Sequence, residues 1–169
     1  ANLVEALKDI TENALTLTVN GATATAVNLA ALDGITSVDV TINETTVTGD
    51  FDDLVLVYDT NKANFTALGN ENIVITDDSA ADEIDKIANA TTGKVTATLD
   101  AGTDITDVEV AKLTHVNGTT DVISLTSTEG TADATALVAL NTLTDNHTYA
   151  SVNTITETAA SVASVKGAL

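Results

Sequence analysis

A short pattern of small and apolar residues recurs along the whole chain, and this repetition limits the possible folds more than any other feature. Each copy begins with a small or polar residue and then carries apolar residues at the spacing of an amphipathic helix. The corresponding apolar positions are Leu3, Val27, Val55, Ile84, Val108, Leu137 and Val162. Their period of about 24 to about 29 residues is typical of solenoid proteins, in which each repeat stacks on its neighbours.

Between the helical patterns lie short runs in which apolar and polar residues alternate. They are Leu15–Val19, Val38–Ile42, Ile73–Thr76, Val95–Leu99, Val122–Leu125 and Tyr149–Ile155. Alternation rich in β-branched residues predicts strands, and strands separated by a helix must run parallel. In three runs the polar residues all fall on one side, so we expect one sheet face to be in water. The pattern therefore predicts an α/β repeat solenoid of strand–helix coils with one parallel sheet. An open α/β sandwich is the alternative, although its strands would be more continuously apolar.

The repeat extends over residues 1–169 as one array of about six coils. Ala1-Asn2-Leu3 aligns with Ala160-Ser161-Val162, and neither end shows the atypical repeat that caps a solenoid. We therefore expect the array to be cut from a longer chain. The third coil, from Asn43 to Asn72, is irregular, and Leu54–Val57 alternates like a strand. Local β-structure is the expectation there in place of a helix.

The charge of the chain excludes two classes of partner. There are 25 acidic residues against 6 lysines and no arginine, which gives a net charge of −19. Nucleic-acid binding requires a basic surface, and an anionic membrane surface repels such a chain. No apolar run is long enough to span a bilayer. We expect no nucleic-acid partner and no membrane insertion, and we expect other copies or neighbouring repeats as partners.

No pattern typical of an enzyme occurs in the sequence. Cysteine is absent, and there is neither a Gly-x-Ser-x-Gly motif nor a glycine-rich phosphate loop. His115 follows a helical pattern, where contact with the helix C-terminus is the simplest role, and His147 is expected at the surface. The chain is therefore predicted not to be an enzyme.

Clusters of acidic residues are the only candidate metal sites, and calcium is the metal that prefers such oxygen ligands. The first candidate is Asp77, Asp78 and Asp82, and the second is Asp50, Asp52 and Asp53. The EF-hand spacing does not occur. A solvated acidic rim at helix N-termini explains the same residues without a metal. The solvated rim is the favoured interpretation, and calcium is the one candidate cofactor.

The repeats resemble those of large repetitive surface and secreted proteins of bacteria, including cyanobacteria. The matching stretches are Ala1–Leu7, Ile35–Ile42 and Ile155–Val162, whereas the segment from Asn43 to Gly69 departs from the pattern. The resemblance implies an extracellular or cell-surface location and a role as a structural repeat module of a surface-layer, adhesin or fibre protein. It implies no catalytic residues.

A ligand-binding solenoid with an exposed Thr-rich sheet face, of the kind that binds ice or glycans, is the alternative function. Thr16 and Thr18 form one Thr-x-Thr pair, and Thr96 and Thr98 form another. The equivalent outward pairs in other coils are Asp39/Thr41, Val74/Thr76 and Val122/Ser124, so the Thr array is not regular.

Overall fold

The computed structural model describes residues 14–100, 106–126, 131–144, 147–148 and 154–156. The strands are β1 (Thr18–Asn20), β2 (Thr23–Thr25), β3 (Val40–Asn43), β4 (Thr46–Gly49), β5 (Phe65–Thr66), β6 (Asn72–Ser79), β7 (Val95–Asp100), β8 (Val122–Thr126), β9 (Thr131–Asp133), β10 (His147–Thr148) and β11 (Thr154–Thr156). The helices are α1 (Ala26–Asp33), α2 (Phe51–Val55), α3 (Ala81–Ala88), α4 (Asp107–Val110) and α5 (Ala134–Leu143). A π-helical turn (Leu56–Thr60) and a 3-10 turn (Lys62–Asn64) follow α2.

All of these strands pair in parallel, and they form more than one sheet. Six strands are ordered β10-β8-β7-β6-β4-β2, three are ordered β1-β3-β5, and β11 pairs with β9. The predicted mixed α/β class with parallel strands is confirmed, and the prediction of a single sheet is wrong. In two coils a second short strand lies between the predicted strand and the helix: β2 lies between β1 and α1, and β4 lies between β3 and α2. Strands of three or four residues are too short for alternation to reveal them.

Paired strands are offset along the chain by about 20 to about 26 residues, and the register shifts within one pair, between Val74 and Asp78 of β6. Thr18 lies opposite Thr41, and Thr23 lies opposite Thr46, so these two pairs have the same offset along the chain. The other pairs have similar offsets, and Thr96, for example, lies opposite Val122. Each strand therefore pairs with the equivalent strand of the next stretch of sequence, and we call one such stretch a turn.

The sheets bury one face, as the alternation predicts. In β3 the side chains of Val40 and Ile42 are buried while Thr41 is half-buried, and in β7 Val95 and Leu99 are buried between half-buried threonines. Burial of these β-branched and aliphatic side chains against the helices supplies the main favourable free energy of folding. The polar side chains on the opposite face of the same strands remain in contact with water.

Most of the predicted helices are confirmed. The patterns that contain Val27, Ile84 and Leu137 correspond to α1, α3 and α5, while the pattern that contains Val108 gives only the single turn of α4. The patterns that contain Leu3 and Val162 lie outside the described residues, as does most of the run that begins at Tyr149.

The expectation of β-structure at Leu54–Val57 is wrong. These residues belong to α2 and the π-helical turn. Leu54, Val57 and Tyr58 are all buried, and their spacing of three and four residues places them on one helix face. The alternation of Val and Leu in this segment is therefore misleading, because its exposed residues are apolar too: Leu56 is 41% exposed.

Candidate functional site

The two predicted acidic clusters meet at the N-terminus of α2. Asp50 is the N-cap residue, and its carboxylate accepts a hydrogen bond of 2.9 Å from the Asp53 N–H. Asp77, from the next turn, accepts a hydrogen bond of 3.0 Å from the Phe51 N–H. Both carboxylates thus satisfy backbone donors that a helix start leaves unpaired, and they interact favourably with the helix dipole.

The remaining members of the clusters lie on the surface. Asp52 is exposed in the first turn of α2, Asp78 is exposed in β6, and Asp82 is exposed in the first turn of α3. Within the described ranges, no three Asp, Glu or His side chains are placed together so that they could hold a metal ion. Helix capping accounts for the position of Asp50 and Asp77.

A second set of acidic residues, which the sequence patterns did not single out, is buried. Glu44, Glu71 and Asp121 are at most 8% exposed, and each lies one or two residues before a strand of the six-stranded sheet. Asp121 accepts hydrogen bonds of 2.7 Å from the N–H groups of Val95 and Asn117. This carboxylate therefore ties one turn to the preceding turn. The signal in the sequence is a single acidic residue at the same phase of the repeat, rather than a cluster.

Glu71 and Tyr58 form a buried pair. One carboxylate oxygen of Glu71 accepts hydrogen bonds from the Tyr58 hydroxyl at 3.2 Å and from the N–H groups of Gly69 and Asn70 at 2.8 and 3.2 Å. The other oxygen has no hydrogen-bond partner. Burial, with the nearby Glu71 carboxylate, raises the pKa of Tyr58 well above its usual range. Tyr58 is thus held as a neutral donor that stabilises an otherwise poorly solvated carboxylate.

Asp85 and His115 form a hydrogen-bonded pair between two turns. The Asp85 carboxylate accepts a hydrogen bond of 2.6 Å from the His115 N–H, and it lies 2.8 Å from the ring Nδ1. The Thr114 hydroxyl donates to the same carboxylate at 3.1 Å. Partial burial acts to raise the pKa of Asp85, but these hydrogen bonds outweigh it and hold the pKa below its usual range.

This pair links α3 to the loop that follows α4. His115 therefore contacts a carboxylate 30 residues earlier in the chain rather than the end of its own helix, which corrects the expected contact with a helix C-terminus. The Thr114 hydroxyl also lies 3.1 Å from His115 Nδ1, and because both groups bond to Asp85, the arrangement orders the loop.

A cavity of 360 Å³ lies beside α1 at the first described turn. Its polar wall includes Asn20, Asn28 and Glu44, and its apolar wall includes Leu29 and Leu32. One carboxylate oxygen of Glu44 is buried and has no hydrogen-bond partner. The cavity therefore combines apolar surface with an unsatisfied acceptor.

The outer face of the three-stranded sheet carries a row of threonines. Thr18 lies opposite Thr41, and Thr41 lies opposite Thr66. The Thr66 hydroxyl donates a hydrogen bond of 3.0 Å to the Thr41 hydroxyl. Beside this row, the Asn43 side chain donates to that of Asn20 at 3.1 Å. In the six-stranded sheet the equivalent row is interrupted, since Thr96 lies between Val74 and Val122, as the sequence indicates.

Comparison with known proteins identifies no relative: no family model, no curated protein and no solved structure matches the chain. In the part of the chain that the structure describes, every helix is too short or too polar to cross a lipid bilayer.

Proposed function

We propose that the chain is a structural repeat module of an extracellular surface-layer, adhesin or fibre protein, and that it acts through assembly. Its architecture is an α/β solenoid, in which each turn contributes one strand to a parallel sheet and most turns add a short helix. The observation that supports this most strongly is the strand register. Paired parallel strands are offset by about 20 to about 26 residues of chain, and this range overlaps the period of the sequence repeat.

Side-chain hydrogen bonds that recur from turn to turn support the same architecture. The Thr45 hydroxyl donates to the carbonyl of Ala22 at 2.7 Å, and the Thr91 hydroxyl donates to the carbonyl of Glu71 at 2.7 Å. The buried Thr144 hydroxyl donates to the carbonyl of Asp121 at 3.1 Å. Threonines at the start of the turns therefore satisfy carbonyls of the preceding turn.

The charge of the chain fits an exposed polymer. A net charge of −19 keeps a repetitive surface soluble and discourages non-specific association. The sequence resembles repetitive surface proteins of bacteria in the segment Ile35–Ile42, which in the structure runs from the end of α1 into β3. These features support an extracellular location.

Antibody labelling of intact cells tests the location and the role together. We expect an antibody raised against residues 14–100 to label the outside of unpermeabilised source cells. Brief treatment of the cells with an external protease should remove the label, while a cytoplasmic protein remains intact as the control. Labelling that appears only after permeabilisation would contradict the proposal.

Ligand binding by the threonine row is a second candidate. The aligned hydroxyls of Thr18, Thr41 and Thr66 and the adjacent Asn20–Asn43 pair form a polar strip on an exposed sheet face. A glycan array and an ice-recrystallisation assay would test it. Binding that is lost with Thr18→Val and Thr66→Val, but kept with Thr119→Val on a distant surface, would support this candidate over a purely structural role.

A further inference from the structure

The chain contains two Asn-Gly pairs, Asn20-Gly21 and Asn117-Gly118, and both asparagines are exposed. In such a pair the glycine nitrogen can attack the side-chain amide carbon of the asparagine and close a five-membered ring. Glycine favours this attack because it has no Cβ to hinder its nitrogen. The two pairs differ in the groups that surround the amide under attack.

The side-chain oxygen of Asn117 accepts two hydrogen bonds from Thr119. The Thr119 N–H donates at 3.1 Å, and the Thr119 hydroxyl donates at 2.8 Å. A backbone N–H can only donate, so the atom that faces it must be the amide oxygen. The amide nitrogen, which is the leaving group, is therefore the atom that these donors do not hold. Attack on the amide carbon develops negative charge on the oxygen, and two fixed donors stabilise such a charge.

The loop that carries Asn117 is held in place by Asp121. The Asp121 carboxylate accepts a hydrogen bond of 2.7 Å from the Asn117 N–H, and the Asp121 N–H donates to the Asn117 carbonyl at 2.9 Å. The same carboxylate accepts a hydrogen bond of 2.7 Å from the Val95 N–H, so its charge is compensated by two backbone donors. The Thr119 donors therefore keep a fixed position around the amide oxygen, and no reorganisation is needed when charge develops there.

Asn20 has a less favourable environment for the same reaction. From the described residues its side-chain oxygen accepts one hydrogen bond, of 3.1 Å, donated by the Asn43 side chain. Gly21 lies against the Glu44 carboxylate, whose oxygens would be 3.0 and 3.1 Å from a Cβ at Gly21. One of these oxygens is buried without a hydrogen-bond partner. A carboxylate beside the reacting groups disfavours a developing negative charge.

We propose that Asn117 is a site of spontaneous deamidation, and that the Thr119 donors accelerate the reaction. The Gly118 nitrogen loses its proton to water and bonds to the amide carbon of Asn117. The bond between that carbon and the amide nitrogen breaks, and the nitrogen takes a proton from water and leaves as ammonia. A water molecule then opens the ring at either carbonyl, which gives aspartate or isoaspartate. The net reaction consumes one water and releases one ammonia, with no oxidation or reduction.

Isoaspartate at this position changes the junction between turns. It routes the backbone through the former side chain and so adds one carbon to the main chain before Gly118. Space is limited there, because even a Cβ on Gly118 would overlap the Leu143 carbonyl oxygen of the next turn. The hydrogen bonds between residues 117 and 121 depend on the same backbone, and Asp121 also holds Val95 of the preceding turn. The isoaspartate form should therefore be less stable than the original chain.

Peptide mass spectrometry of the full chain during prolonged incubation in neutral buffer measures the reaction at both Asn-Gly pairs at once. In the folded chain we expect Asn117 to deamidate at least about threefold faster than Asn20, because two fixed donors act on its amide oxygen. In concentrated urea the two asparagines should react at equal rates, since the fixed donors are lost. Isoaspartate, detected by enzymatic methylation, should be among the products, because direct hydrolysis of the amide gives aspartate alone.

Two threonine variants separate the Thr119 hydroxyl from its surroundings. Thr119→Val removes one donor to the amide oxygen and should slow deamidation of Asn117 by at least about threefold. Thr120→Val is the matched control, because the Thr120 hydroxyl lies near Asp121 and should leave the rate unchanged. The aged chain carries one more negative charge and is separated by ion exchange. Its isoaspartate form should melt at a lower temperature, whereas Asn117→Asp, which keeps the ordinary backbone, should melt close to the original chain.

The comparison of folded and denatured original chain does not depend on a variant folding. Deamidation of Asn117 that is slower in the folded chain than in urea would overturn the proposal, because the folded turn would then protect the amide. Folded-state rates at Asn117 no higher than those at Asn20 would overturn it too, as would a folded Thr119→Val variant that reacts as fast as Thr120→Val. The reaction requires only water, so these outcomes are independent of where the protein is located and of how it assembles.

Discussion

Gly93 lies where the backbones of two turns approach each other closely, and replacing it with alanine tests their stacking. A Cβ at this position would overlap the carbonyl group of Glu71 and would lie 2.8 Å from the Asn72 nitrogen, whereas ordinary contact begins at 3.4 Å. Both obstacles are backbone, so no side chain can rotate away. The two turns must separate locally by roughly 1 Å, which is a severe form of overpacking.

The cost follows from the hydrogen bonds that this separation breaks. The Ile73 N–H donates to the Lys94 carbonyl at 2.8 Å, and the Lys94 N–H donates to the Asn72 side chain at 2.9 Å. The Thr91 hydroxyl donates to the Glu71 carbonyl at 2.7 Å. Three bonds at about 1 kcal/mol each, with overpacking of at least about 1 kcal/mol, give a loss of about 4 kcal/mol.

Urea denaturation followed by far-ultraviolet circular dichroism measures this loss, since the chain has no tryptophan to report by fluorescence. Gly34→Ala is the matched control. Gly34 has ordinary helical angles, and its added Cβ would lie 3.6 Å from the nearest atom, the Ala31 carbonyl oxygen. We expect the control to be unchanged or stabilised by up to about 1 kcal/mol. A Gly93→Ala variant as stable as the control would refute the close stacking of these turns.

Three further predictions concern charged and titrating groups. Asp85→Asn should destabilise the chain by about 1–2 kcal/mol. Because the folded pKa of Asp85 lies below the ordinary value of 3.8, its contribution is present above that pH and is lost as the pH falls through the folded pKa, so original and variant should converge in acid melts. Tyr58 has a raised pKa, so its contribution to the stability of the fold is present below about pH 10 and is lost as the pH rises. In a spectrophotometric titration, one of the two tyrosines should therefore ionise only when the chain unfolds. Tyr58→Phe should remove that phase. Calcium, magnesium and NaCl at equal ionic strength should raise the melting temperature equally by screening, and a calcium-specific rise that Asp78→Asn abolishes would instead establish a metal site.

The sequence predicts the parallel pairing and the buried face, because each follows from a side-chain pattern that extends over many residues. The helix at Ala81–Ala88 and the strand at Val95–Asp100 are long enough for their periodicity to be read directly. The extra strands β2 and β4 could not be read in this way. Each is three or four residues of Thr, Ala, Val and Gly, and it forms because the neighbouring turn supplies its hydrogen-bond partners.

The polar positions that join the turns were harder to predict than the fold. The clustering of acidic residues in the sequence indicated Asp50 and Asp77, which cap a helix. The buried hydrogen bonds are instead made by Glu71 and Asp121, which stand alone in the sequence. A carboxylate is recognised as buried only when its backbone donors are known, and those donors are set by turn geometry. The contact of His115 with Asp85 spans 30 residues, so no local sequence pattern could predict it.

A disulfide between adjacent turns measures the stacking register most directly, because the chain has no cysteine of its own. Asn20 and Asn43 are Cα partners on adjacent parallel strands, and their side chains already meet at 3.1 Å. Strands about 4.8 Å apart fall within the range of Cα separations that a disulfide spans. Asn20→Cys combined with Asn43→Cys should therefore oxidise readily within one chain and raise the melting temperature. Asn20→Cys combined with Thr66→Cys, two strands apart at about 10 Å, should not. Efficient closure of the second pair, or none of the first, would contradict the parallel stack of turns.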